Sequence, residues 1–217
     1  MRFGVLGTGH AGTTIASKLA KLGHDVTMGS RSRGNEKAAA WVSTAGNNAH
    51  AGTFADAAAF GEIVINATAG GASLEALNAA GAENLDGKVL IDVANPLAGD
   101  GFPPTLLVCN TESLGEQIQH AFPGARVVKA LNTVTANVMV NPGMISGSHN
   151  VFVAGNDAAA KATVSTLLQS FGWAAGDVVD LGDISNARGT EMYMPLWIRL
   201  YIGLGTAHFN IRIVRED

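Results

Sequence analysis

The hexapeptide Gly7-Thr8-Gly9-His10-Ala11-Gly12 limits what this chain can fold into, because of what stands on either side of it. Before it lies Arg2-Phe3-Gly4-Val5-Leu6, an apolar run of strand length. After it, Thr13 to Leu22 places Ile15, Leu19 and Leu22 on one helical face, and Gly23 ends the segment. Asp25 to Met28 reads as a second strand, which completes a β-turn-α-β unit. In that setting the spacing G-x-G-x-x-G has a mechanical meaning. Gly7 can make the tight turn, Gly9 leaves room for a pyrophosphate to approach the backbone, and Gly12 lets the helix pack close to the sheet. The unpaired N–H groups and positive end of that helix then face the phosphates. His10 lies inside the loop and is expected to line the phosphates rather than to act as a base.

The end of the second strand selects the dinucleotide. NAD enzymes carry an acidic residue there, which accepts a hydrogen bond from the ribose 2′-hydroxyl. This chain has Gly29-Ser30-Arg31-Ser32-Arg33 instead, with Lys37 close behind. Arginine offers a planar fork of donors to a 2′-phosphate, and serine offers a hydroxyl. The expected cofactor is therefore NADP(H).

Strand-like and helix-like segments go on alternating. Strands are expected near His50 to Phe54, Glu62 to Ala67, Lys88 to Val93, Arg126 to Leu131, Asn150 to Ala154 and Asp177 to Leu181. Helices are expected over Glu36 to Thr44, Leu74 to Ala80, a segment opened by a capping box at Ser113 to Glu116, and Asp157 to Phe171 with Gly172 as its stop. This order predicts an α/β, Rossmann-like, doubly wound and mostly parallel sheet with a small C-terminal helical segment. The alternation ends near Gly182 to Ile184, so residues 1–183 read as the dinucleotide-binding domain and 184–217 as a helical segment that completes the site or a dimer interface.

Composition narrows the partners. The net charge of −4 argues against nucleic acid, whose backbone demands clustered basic charge. A single cysteine, Cys109, excludes an internal disulfide and points to a reducing, cytoplasmic setting. No targeting segment and no membrane span is read: the apolar stretch Met192 to Val214 is interrupted by Pro195, Arg199 and Arg212. The six histidines show no metal-ligand spacing, and no catalytic triad is evident. Within the tail, Met192, Tyr193, Leu196, Trp197, Leu200, Tyr201 and Leu204 give a wide apolar helical face. A homodimer contact through Tyr193, Trp197 and Tyr201 is expected to cover it, with packing across the end of the sheet as the alternative.

Gly7-Thr8-Gly9 with Gly29-Ser30-Arg31 resembles the NADP-dependent oxidoreductases of the 8-hydroxy-5-deazaflavin coenzyme (coenzyme F-420). Val128-Lys129-Ala130-Leu131-Asn132-Thr133, Ile184-Ser185-Asn186-Ala187-Arg188 and Met194-Pro195-Leu196 extend the resemblance over nearly the whole chain. The same segments are similar to the cytosolic domains of six-transmembrane metalloreductases, which pass electrons from NADPH through a flavin to metal ions. The first part alone would also fit other Rossmann families, pyrroline-5-carboxylate reductases among them.

The resemblance implies that Thr8, His10 and Ala11 line the pyrophosphate, and that Ser30, Arg31 and Arg33 or Lys37 hold the 2′-phosphate. It implies that Ala67, Thr68 and Ala69 border the riboses, that Asn95, Pro96 and Leu97 flank the nicotinamide, and that the segment from Asn132 and Thr133 to Thr135 faces the second cofactor. Some archaeal members have a histidine at the position of Asn132 and a bulkier pair at Thr68-Ala69. The reaction implied is hydride transfer to a planar second cofactor, a deazaflavin or a flavin, and the shallow opening at Gly70-Gly71 suits one. The alternatives are reduction of a quinone, imine or small carbonyl compound, or a sensor that binds NADPH without catalysis. Lys129 interrupts an apolar strand, and three placements are open for it: the sheet's edge, its exposed end, or contact with a cofactor.

Overall fold

The structure, a computed structural model, describes residues 1–99 and 101–216. Strand β1 (Arg2–Leu6) buries every residue after Arg2, and the glycine turn passes it to α1 (His10–Lys21). The chain continues through β2 (Asp25–Ser30), α2 (Glu36–Ala45), β3 (Ala49–Thr53), α3 (Phe54–Phe60), β4 (Ile63–Asn66), α4 (Ser73–Ala80), α5 (Ala82–Leu85) and β5 (Val89–Asp92). Among the described residues that follow, Leu97 and Leu106 form an antiparallel bridge. Then come α6 (Leu114–Ala121), β6 (Arg126–Ala130), α7 (Ala136–Val140), β7 (Val151–Gly155), α8 (Ala158–Phe171), β8 (Val178–Asp180), α9 (Ala187–Met192) and α10 (Met194–Leu204).

The strands form one sheet in the order β3-β2-β1-β4-β5-β6-β7-β8. It is parallel from β3 to β6, and β7 runs antiparallel to β6. Alternate residues of each strand supply two apolar layers. Phe3, Val5, Ile65, Ile91 and Val128 pack with α1, α2, α7 and α8 on one face. Leu6, Val64, Leu90 and Val127 pack with α3 to α6 and with Ile184 and Ala187 on the other. The doubly wound, mostly parallel α/β architecture expected from the sequence is present.

Two details of that expectation are corrected. The capping box at Ser113 is only half formed: Ser113 Oγ accepts from the Glu116 N–H but donates to the Glu116 carboxylate, so the carboxylate does not reach back to the Ser113 N–H. The last helical segment is two helices, because α9 ends at Met192 and α10 restarts with Pro195 in its first turn.

Candidate functional site

Strand order reverses around β1, whose neighbours β2 and β4 lead the chain in opposite directions. In open α/β sheets ligands bind at such a switch point, beyond the carboxyl ends of the strands. A cavity of about 510 Å³ opens there, lined by Gly7, Thr8, Gly9, Ser30, Arg31, Asn35, Phe54, Ala67, Thr68, Ala69, Ala72, Glu75, Ala76 and Ala79.

The three loop glycines divide the work. Gly7 has φ +117°, and a Cβ on it would lie 2.5 Å from the Ala67 carbonyl oxygen. A Cβ on Gly12 would lie 2.2 Å from the Gly7 carbonyl oxygen. These two are required by packing. A Cβ on Gly9, in contrast, would meet nothing within 4 Å among the described residues. Gly9 is also the N-cap of α1, with no side-chain hydrogen bond to the helix start and no acidic residue in the first turn. The α1 amides are thus left for an outside acceptor, and the open space above Gly9 fits a pyrophosphate.

At the far wall of the cavity, Ser30 is buried and its hydroxyl donates to the Ser32 carbonyl at 2.6 Å. Arg31 is exposed and lines the cavity. Arg33 is engaged elsewhere: its Nη2 donates to both Asp56 oxygens, at 2.8 and 2.9 Å. Asp56 also caps α3, accepting from the Thr53 N–H at 2.8 Å. Those Thr53 bonds, backbone first, followed by the Arg33 charge, hold the Asp56 carboxyl below its ordinary pKa. Lys37 is exposed on α2 and outside the cavity wall. Glu75, on α4, lines the cavity although nothing in its sequence setting marks it.

The turns that follow β4, β5 and β6 interlock. Thr68 Oγ1 donates to Asn66 Oδ1 at 2.7 Å. Gly70 admits the second turn, since a Cβ there would lie 2.0 Å from the Asn95 carbonyl oxygen. Its lack of a side chain serves this contact as well as any opening. Asn95 and Asn132 grip each other: Asn95 Nδ2 donates to the Asn132 carbonyl at 2.8 Å, and Asn132 Nδ2 donates to Asn95 Oδ1 at 3.0 Å. Leu131, with φ +64°, bends the chain out of β6 so that Asn132 can turn back. Pro96 lines a smaller cavity of about 170 Å³ with Gly70, Gly71, Leu74, Leu107, Val108, Leu114 and Gln117. Thr133 is buried, and its hydroxyl has no hydrogen-bond partner among the described residues.

Lys129 occupies none of the three placements left open for it. It stands inside the sheet, fully buried, and its ammonium contacts Asp92 Oδ2 at 2.6 Å, the Ala94 carbonyl at 2.7 Å and Glu191 Oε1 at 2.7 Å. The tail aromatics are also partly covered from within. Trp197 stacks between Tyr201 and Phe209, with ring centroids 5.8 and 5.3 Å away. Among the described residues no group of His, Cys, Asp and Glu could hold a metal ion, and no helix is long and apolar enough to cross a membrane.

Residues 2–96 match the family described as NADP oxidoreductase, coenzyme F420-dependent. A crystal structure of a candidate F420-dependent NADP reductase from Arthrobacter sp. FB24 superposes with a TM-score of 0.92, is 54% identical, and covers 98% of this chain and 99% of its own. Metalloreductase STEAP3 of Rattus norvegicus is 27% identical over 99% of this chain, which corresponds to 42% of the rat protein. The chain thus spans less than half the length of that curated relative. A reductive aminase from Aspergillus terreus in complex with NADPH shares the fold, with a TM-score of 0.67 at 22% identity over 93% of this chain and 62% of its own. The chain belongs to the family of coenzyme F420-dependent NADP oxidoreductases.

Proposed function

We propose that this chain transfers a hydride between NADPH and the 8-hydroxy-5-deazaflavin coenzyme. The observation that carries the reading is the chemistry of the interlocked turns. The ionisable side chains at the carboxyl ends of the strands that lead into them, Asp92 and Lys129, are buried and bonded to each other. Neither side chain of that pair is free to act as an acid or a base, which suits a reaction whose reactive atoms both belong to cofactors. When bound, the two cofactors would supply the redox chemistry, a hydride exchanged between the nicotinamide and the deazaflavin with a proton from solvent.

The protein's part is binding, alignment and exclusion of water. Gly7, Thr8, Gly9, His10, Ala11 and Gly12 form the pyrophosphate loop, and Arg31 takes the 2′-phosphate, with Ser30 bracing its turn through the Ser32 carbonyl. Arg33 neutralises Asp56 at the rim. Ala67, Thr68 and Ala69 border the riboses. Asn95 and Pro96 back the nicotinamide, and Asn132 acts by holding Asn95. The Thr133 hydroxyl, without a partner among the described residues, is the polar group that a ring carbonyl would satisfy. Residues 1–183 act in this reading as the dinucleotide-binding unit and 184–217 as the segment that braces it.

The test is a stopped-flow comparison of NADPH oxidation with deazaflavin, FMN, FAD, a quinone and a cyclic imine. Deazaflavin should be reduced fastest. Preferential turnover of the imine or of a flavin would replace the acceptor, and binding of NADPH without any turnover would make the chain a sensor.

A further inference from the structure

Asn66, Asp92 and Lys129 stand side by side on β4, β5 and β6, in register. They share the strand face of Val64, Leu90 and Val127, the face covered by α3 to α6, where Asn66 Nδ2 also donates to Ser73 Oγ of α4 at 3.0 Å. All three are buried, and so is Glu191, which reaches them from α9. No oxygen of either carboxylate is idle. Asp92 Oδ1 accepts from Asn66 Nδ2 at 2.8 Å and from the Ala94 N–H at 3.2 Å, while Oδ2 faces Lys129. Glu191 accepts from Lys129 and from the first two amides of α6, Leu114 at 2.8 Å and Gly115 at 3.0 Å. The cluster carries one net negative charge, and the positive end of α6 offsets it. Burial alone would pull the Lys129 pKa down, but Asp92 and Glu191 outweigh it and hold the ammonium above its ordinary value.

Buried ion clusters of this kind add little to stability compared with apolar residues of the same volume. What this one does is set geometry. Asp92 takes the Ala94 N–H and Lys129 takes the Ala94 carbonyl, so both ends of the residue before Asn95 are tied to the core. At the other end of the row, Asn66 holds the Thr68 hydroxyl. We infer that Lys129, Asp92 and Glu191 are positioning residues: from inside the core they fix the turns at Thr68 and at Ala94–Pro96, against which the nicotinamide lies. The inference rests on the proposed placement of the nicotinamide beside Asn95 and Pro96.

Glu191→Gln tests it, because Glu191 lines none of the cavities described above. NADPH emission lifetime and anisotropy in the binary complex report how firmly the nicotinamide is held, and they need no acceptor. The expected result is a folded protein whose NADPH dissociation constant stays within about threefold of wild type. Its bound nicotinamide should show a shortened lifetime and lower anisotropy, and its hydride rate should fall by about tenfold or more through misalignment. Glu191→Asp, which keeps the charge, should recover part of both signals, and it carries the test if Glu191→Gln does not fold. Wild-type lifetime and anisotropy in a folded variant overturn the inference, whatever its melting temperature. A wild-type protein that binds NADPH but reduces no deazaflavin overturns the acceptor assignment and leaves the emission experiment standing.

Discussion

At Gly9 a methyl group would point into open space, whereas at Gly12 it would lie 2.2 Å from the Gly7 carbonyl oxygen. The two positions should therefore separate binding from folding. Gly9→Val should keep the fold, by circular dichroism and melting, and lose NADPH and NADH alike. Gly12→Ala should destabilise the protein by about 1–3 kcal/mol through overpacking, read from urea unfolding. A folded Gly9→Val protein that titrates normally with NADPH would refute the phosphate-loop assignment. The basic residues separate in the same way. Arg31 faces the cavity, while Arg33 is spent on Asp56. Arg31→Asp should remove charge-assisted hydrogen bonds worth about 1.5–3 kcal/mol, a loss of about tenfold or more in NADPH affinity, with NADH little changed. Arg33→Ala should cost clearly less by calorimetric titration, and the reverse ranking would reassign the 2′-phosphate to Arg33.

Among the elements, α6 and α9 are joined at their surface by an ion pair as well as by the buried row. Arg188 Nε donates to Glu116 Oε2 at 2.8 Å, and a second guanidinium nitrogen contacts Oε1. The Arg188 bond, with Ser113 adding to it, holds Glu116 below its ordinary pKa of 4.5. A depressed folded-state value stabilises the fold above the unfolded value and ceases to do so as pH falls through the folded one. The urea midpoint should therefore drop as pH falls below about 4.5, and Arg188→Met should flatten that part of the profile. Lys129 has the opposite sign: its contribution is complete below 10.5 and fades only as pH rises through its elevated value, so the acid limb is not its doing. An Arg188→Met acid profile identical to wild type would show that the pair adds nothing. Elements with a clear period and a marked end were legible in the sequence: α1, stopped near Gly23, and α8 between its cap Asp157 and the left-handed Gly172. The seven-residue α3 and five-residue α7 were not, being too short to show a period. The reversal of β7 was also missed, since alternation looks the same in either direction. At the site, the glycine loop and Ser30-Arg31 announced themselves by position. The partners of Lys129, and the hold of Asn132 on Asn95, depend on residues far apart in the chain and carry no local signature.

For the molecule as a whole, α10 leaves Leu196, Ile202 and Leu204 about half exposed, while its Trp197 is covered by Phe209 of the same chain. The expected homodimer should therefore draw on Leu196, Ile202 and Leu204 more than on Trp197. Sedimentation at micromolar concentration should give twice 22.2 kDa, and a Leu196→Asp, Ile202→Asp protein should give the single mass. A wild-type species at the single mass would leave these side chains without a partner copy. The turns at Gly70, Asn95 and Asn132, meanwhile, are held by one another's backbone and side chains. On the proposed placement, docking a dinucleotide on them calls for no coupled folding. The heat-capacity change of binding should then equal what the buried apolar area of the ligand and its cavity accounts for, and the excess that marks a segment ordering around its ligand should be missing.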